Sequence, residues 1–248
     1  MKHRLMAHMV AYYPDRERSL EVARALADGG AACLEIQFPF SDPSADGPAI
    51  QDACSTALEA GFHTKEGFRL VREIGDATGI PLFIMAYAGM AVAGGLSRFL
   101  DSVKENGAVG VIIPDLMPGM DDGLYKSARE KGLHAVPVIT PYTREPRLEE
   151  ILSVEPEYIY VALRRGITGQ ETDLEPPVIT FLEELSACGI KVLAGFGVKS
   201  GAQVEALAPH IHSAIAGTCL VREIQEALAD ESVPVYDCVR QKVEELVG

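Results

Sequence analysis

Eight short β-rich runs alternate with amphipathic stretches along the chain, and this alternation limits its folding options more than any other feature. The runs fall at 5–12, 32–37, 81–86, 109–113, 134–139, 158–163, 191–194 and 213–216. Apolar residues fall at helical spacing in 16–28, at Leu20, Val22, Ala23 and Leu26, and Gly29-Gly30 ends the helix. The same reasoning predicts helices at 64–78, 96–106, 124–131, 147–154, 178–188, 202–207 and from 220 to the end, with a long loop between 37 and 64. Repeated strand–helix units imply an α/β protein with parallel strands, and eight such units that close on themselves make a (β/α)8 TIM barrel. An open doubly wound sheet is the alternative. It usually needs fewer strands, and no GxGxxG follows the first run. With 248 residues, 48% of them hydrophobic, one barrel domain over 1–248 accounts for the whole chain.

Charge and composition exclude several classes of function. The formal charge is −14, from 22 basic and 36 acidic side chains, the wrong sign for a generic binder of nucleic acid or anionic membrane. Any bound anion must therefore be held by local geometry. No apolar run reaches the roughly 18 residues a membrane helix needs, and the opening MKHRLMAHMVAYYPD is too short and interrupted for a signal peptide. The five cysteines, Cys33, Cys54, Cys188, Cys219 and Cys238, contain no CxxC pair and read as reduced thiols of a cytoplasmic protein. His210 and His212 are the only close histidines, and no carboxylate cluster joins them, so no metal site is expected.

In a barrel of this kind, chemistry sits at the C-terminal ends of the strands. The second run carries Glu35 inside an apolar strand, followed by PFSDPSADGP at 39–48. Burial there favours the protonated form of Glu35, as a general acid requires. Asp46, eleven residues on, sits in a tight loop able to fold back over the barrel mouth, and two carboxylates in unlike settings can divide acid and base work. The bland alternative makes Glu35 an internal ion-pair member and Asp46 a turn residue beside Gly47. Asp42 reads as a turn or cap residue. The loop after the sixth run, RRGITGQETD, is polar and contains Gly166 and Gly169, as a lid would, although a plain surface loop fits equally. The seventh and eighth runs end in Gly195-Phe196-Gly197 and Ala216-Gly217-Thr218, each leading into a helix. This is where a barrel commonly seats a phosphate on backbone N–H groups. No lysine ends a predicted strand, which argues against a Schiff-base aldolase. Carboxylate acid/base work on a phosphorylated small molecule remains.

These residues also carry a resemblance. LEIQFPFSDPSADGPAIQ resembles the signature of the tryptophan synthase alpha subunit family, and the likeness continues through Pro114-Asp115-Leu116, RRGITG, GFGV and the AGT ending at Thr218. The resemblance implies a single (β/α)8 barrel that cleaves indole-3-glycerol phosphate to indole and glyceraldehyde 3-phosphate by a cofactor-free retro-aldol reaction. It implies that Glu35 protonates the indole ring carbon and that Asp46 handles the ring nitrogen's proton. Thr168 and Gly169 match the lid loop. Phe196, Gly197, Gly217 and Thr218 match the phosphate and indole wall, with threonine in place of a usual serine. Tyr87 and Tyr160 match pocket tyrosines, and Asp115 matches a position at the end of the fourth strand with no assigned role. The resemblance further implies a pyridoxal-phosphate beta subunit as partner.

The chain departs from the family pattern at Ala11-Tyr12-Tyr13-Pro14-Asp15, where a T-x-G-D-P turn is usual, at Tyr87-Ala88-Gly89-Met90-Ala91, and at MPGMDDG (117–123). The last two regions face the beta subunit in the family, and their divergence weakens the expectation of that partner. Three competing readings stand beside the leading one: a stand-alone lyase releasing free indole, a catalytically silent phosphate-binding partner barrel, and a phosphate-binding isomerase of another substrate.

Overall fold

The computed structural model describes residues 4–163, 175–195, 197–230 and 233–248. The first half runs β1 (Leu5–Val10), α1 (Arg16–Asp28), β2 (Cys33–Gln37), α2 (Pro48–Glu59), α3 (Thr64–Thr78), β3 (Leu82–Met85), α4 (Ala88–Ala93), α5 (Leu96–Glu105) and β4 (Gly110–Ile112). The second half runs α6 (Leu124–Lys131), β5 (His134–Val136), β6 (Val138–Ile139), α7 (Arg147–Ser153), β7 (Tyr158–Ala162), α8 (Pro176–Ala187), β8 (Lys191–Gly195), α9 (Gly201–Leu207), β9 (Ser213–Ala216), α10 (Thr218–Ala229) and α11 (Val235–Val247).

Every strand pairing is parallel, in the order β5-β4-β3-β2-β1-β9-β8-β7-β6. The sheet's two ends, β5 and β6, are neighbours in the chain, parted only by Pro137. Proline lacks the N–H a ladder needs, so the fifth run reads as two segments of one strand. Its carbonyl still accepts from the Tyr160 N–H at 2.9 Å. The nine segments thus form the eight-stranded barrel expected from the sequence.

Side chains alternate along each strand and so divide the core in two. Leu34, Ile36 and Phe38 of the β2 stretch point outward into the large apolar layer beneath the helices. Met6, Cys33, Phe83, Met85, Ile112, Leu193 and Ile215 fill the barrel interior. Three local departures from the sequence reading have physical causes. The first strand stops at Val10 because Tyr12 takes a positive φ of 69°, its N–H donating to Ser19 Oγ at 3.1 Å. The expected loop before residue 64 contains α2, which begins at Pro48, a residue whose missing N–H and fixed φ suit a helix's first turn as well as a loop, and which buries Ala49, Ile50, Ala53, Cys54 and Ala57. The terminal helical stretch is interrupted, α11 starting after Pro234, which can precede a helix but not continue one.

Candidate active site

Strand register brings the site together. In the β1–β2 ladder His8 stands opposite Glu35 and Val10 opposite Gln37. Inward-facing positions recur every second residue, so His8, Glu35 and Gln37 all enter the barrel. A cavity of about 390 Å³ opens at the C-terminal ends of the strands, lined by His8, Glu35, Asp46, Tyr160, Gly197, Gly217 and Thr218 among others.

The two carboxylates are equally dry: Glu35 is 4% exposed and Asp46 5%. They differ in their partners and not, as the sequence suggested, in their access to water. Glu35 Oε2 lies 3.1 Å from His8 Nδ1. Asp46 Oδ2 accepts from Gln37 Nε2 and from the Tyr87 hydroxyl, both at 2.8 Å. Burial pushes the Asp46 carboxyl above its ordinary value. His8 and the two donated hydrogen bonds pull it back only in part, and Glu35 adds to the rise. For His8, burial opposes the charged ring. The charge and hydrogen bond of Glu35, helped by Asp46, outweigh burial and hold the imidazole above its ordinary value.

The loop that delivers Asp46 is tied at several points. Its Ala45 N–H donates to the Tyr87 hydroxyl at 3.0 Å, and Gln51 Nε2 donates to the Asp46 carbonyl at 2.9 Å. Tyr87 stacks on Phe40 with ring centroids 5.3 Å apart. Tyr87 therefore acts on the site through Asp46, and it is not among the residues lining the cavity. Burial, then the charge of Asp46, raises its phenol far above the usual range. Tyr160 does line the cavity, and burial likewise raises its phenol, with Glu35 and Asp46 adding to the effect. Asp42 is exposed and accepts from the Ser41 hydroxyl at 2.7 Å, a turn role.

The opposite wall is built from the ends of β8 and β9. Gly197 takes a φ of 92°, which an L side chain rarely adopts. Gly217 caps α10, a twelve-residue helix whose first two residues, Thr218 and Cys219, line the cavity. The Thr218 hydroxyl is buried without a hydrogen-bond partner among the described residues. Thr168, Gly169 and Phe196 lie outside the described residues. Asp115 gains an assignment: its Oδ1 accepts the Ala88 N–H at 2.8 Å, holding the start of α4 beside Tyr87.

Sequence reasoning passed over His8 and Gln37. The signal was present, because each is a polar residue in an apolar strand, the same anomaly that singled out Glu35.

Comparison with known proteins follows the same line. The sequence model of the family described as "Tryptophan synthase alpha chain" matches residues 1–246. The tryptophan synthase alpha chain of Helicobacter hepaticus is 34% identical over 243 residues, 95% of this chain and 91% of that protein. That of Methanothermobacter thermautotrophicus is 31% identical over 97% of this chain and 88% of its own length. Among solved structures, a chain of the tryptophan synthase α2β2 complex of Pyrococcus furiosus superposes with a TM-score of 0.88 at 30% identity, covering 100% of both chains. One from Mycobacterium tuberculosis tryptophan synthase gives 0.88 at 26% identity, covering 99% of this chain and 91% of that one.

Proposed function

The chain belongs to the tryptophan synthase alpha chain family, the alpha component of an enzyme of tryptophan synthesis, and on that premise we propose that its cavity is a carbon–carbon lyase site. The substrate is indole-3-glycerol phosphate and the products are indole and glyceraldehyde 3-phosphate. One observation carries the reading most directly: two buried carboxylates and a glycine-bordered helix N-terminus face one cavity.

Backbone N–H groups around Gly197, Gly217 and the start of α10, with the Thr218 hydroxyl, would hold the phosphate, which explains how a chain of charge −14 binds an anion. Glu35 gives a proton to the ring carbon that bears the glycerol chain. Asp46, anchored by Gln37 and Tyr87, accepts from the ring N–H and stabilises the positive charge that protonation creates. The carbon–carbon bond then breaks, its electron pair restores the aromatic ring, and the adjacent hydroxyl becomes the aldehyde as its proton passes to the vacated Glu35 carboxylate. Acid and base work of this kind contributes about 10²- to 10⁴-fold per group.

The relative from Pyrococcus furiosus belongs to an α2β2 complex. On that ground we place a beta subunit as the partner that takes up the indole. The test is indole release by the purified protein, alone and with a beta subunit. Release that rises when the beta subunit is added supports both parts. Release unaffected by it leaves a stand-alone lyase. No release from indole-3-glycerol phosphate in either arm rejects the lyase site.

A further inference from the structure

We infer that His8 is a positioning residue of this reaction, one that holds the Glu35 carboxyl through Nδ1 and shares with it the proton Glu35 delivers to the substrate. The inference rests on the cleavage reading above and adds a residue to it.

Three observations converge on His8. It faces Glu35 across the β1–β2 ladder with 3.1 Å between Nδ1 and Oε2, a contact that any slip of register would destroy. The pair is removed from water, with side chains 6% and 5% exposed, so the contact is screened little. The other ring nitrogen, Nε2, is buried without a hydrogen-bond partner among the described residues, on a residue that lines the cavity. A histidine serving only as packing would be expected to pair both nitrogens or give way to an apolar residue, because an unpaired buried polar atom costs free energy. Gly217 packs beside the ring. A Cβ there would stand 3.5 Å from His8 Cβ and Cγ, so the imidazole lies between the acid and the proposed phosphate seat.

The charge arrangement fits a shared proton. An imidazolium beside a carboxylate and a neutral imidazole beside a carboxylic acid contain the same single proton, so the pair acts as one acid. The first transfer forms a C–H bond at the ring carbon. When the carbon–carbon bond breaks, the hydroxyl proton returns to the carboxylate just vacated, and the site ends as it began. Glu35 from β2, Asp46 from the following loop and Tyr160 from β7 are the titratable groups nearest this chemistry. Among the described residues the cavity also meets Lys199, Cys219, Arg222, Glu223, Glu226 and Lys242, and the charges of Glu35 and Asp46 favour the protonated His8 ring.

Two measurements test the inference. Imidazole nitrogen NMR follows His8 in the intact protein without reference to activity. Its midpoint should lie above 6.5 and fall in E35Q, which removes the charge that raises it. An unchanged midpoint overturns the shared proton. Steady-state indole release is then compared for the native protein, His8→Asn and His8→Phe across pH 6 to 8. Asparagine keeps a donor for Glu35 but cannot titrate, and phenylalanine removes both. At pH 6 the asparagine variant should stay within about threefold of native kcat while the phenylalanine variant falls about tenfold or more. At pH 8 the asparagine variant should fall by at least about tenfold, with KM changed less than about threefold, because without a titrating partner the basic limb of its profile moves to lower pH, while the phenylalanine variant stays low at both ends. Native kcat and pH profile in both variants, or an asparagine variant whose loss is equal at every pH, overturns the inference. Should the phenylalanine variant fail to fold, the asparagine variant alone decides by its pH profile. A native protein that releases no indole rejects the cleavage reading, and with it the reaction role of His8, whatever the NMR shows.

Discussion

Both mouths of the barrel set a histidine against a glutamate at nearly equal separation, 3.1 Å for His8–Glu35 and 3.3 Å for His134–Glu157. The resemblance ends there. At the C-terminal mouth the pair is dry and borders a cavity. At the N-terminal mouth the two side chains are 31% and 47% exposed, and Glu157 is shared with Lys191 Nζ at 2.7 Å. Tyr158 plugs that end, its ring making edge contacts with Phe83, His134 and His212, and Lys191 Nζ sits 4.9 Å from its centre. The Lys191 hydrogen bond holds Glu157 below its ordinary value against a modest burial effect. One residue pairing thus yields a plug where neighbours fill the space and water screens the charges. It yields a dry pair beside a cavity where burial is nearly complete, the setting of the proposed chemistry.

The contrast can be broken by experiment, most severely at the upper mouth. Glu35→Gln or Asp46→Asn should lower indole release by at least about 10²-fold with little change in circular dichroism. Native turnover in both would remove the chemistry from this end. At the lower mouth Gly110→Ala should act on the fold alone. A Cβ there would collide with the His134 carbonyl and come within 2.9 Å of the Phe83 ring. Denaturant titration should show a loss of about 1–3 kcal/mol, with turnover per folded molecule unchanged. Glu157→Gln is milder, since solvent screens its half-exposed pairs. It should cost less than about 1 kcal/mol, and a larger loss would mean that the lower pair is not the solvated one described.

The smallest effect is also the most discriminating, because the two mouths should titrate in opposite windows. His8 is raised above 6.5, so its contribution to stability is complete below that pH and is lost as pH rises through its folded value. Glu157 is lowered below 4.5, so its contribution is present above that pH and is lost as pH falls through its folded value. Thermal melts across pH should therefore flatten on the alkaline side in His8→Asn and on the acid side in Glu157→Gln. The same change on the same side in both variants would abolish the distinction.

Much of this was legible in the one-dimensional pattern. The eight runs became the barrel strands, and Glu35, Asp46, Tyr160, Gly197, Gly217 and Thr218 came to line one cavity. What escaped had physical reasons. α2 hides because its start, Gly47-Pro48, reads as a loop although proline also suits a helix's first turn. The partner of Asp115 is a backbone N–H 27 residues away that no side-chain motif reveals. His8 and Gln37 were visible as polar breaks in apolar strands, but nothing local says which carboxylate each would meet.

By itself the sequence determined the alternation of strands and helices, the placing of two acids after the second strand, and glycines at the last two strand ends. These are local properties of spacing and backbone freedom. Tertiary structure alone decided that His8 meets Glu35, that Gln37 and Tyr87 meet Asp46, and that one His–Glu pair is dry while the other is wet. Those outcomes depend on parallel register and burial, which join residues far apart in the chain and set the cost of each charge.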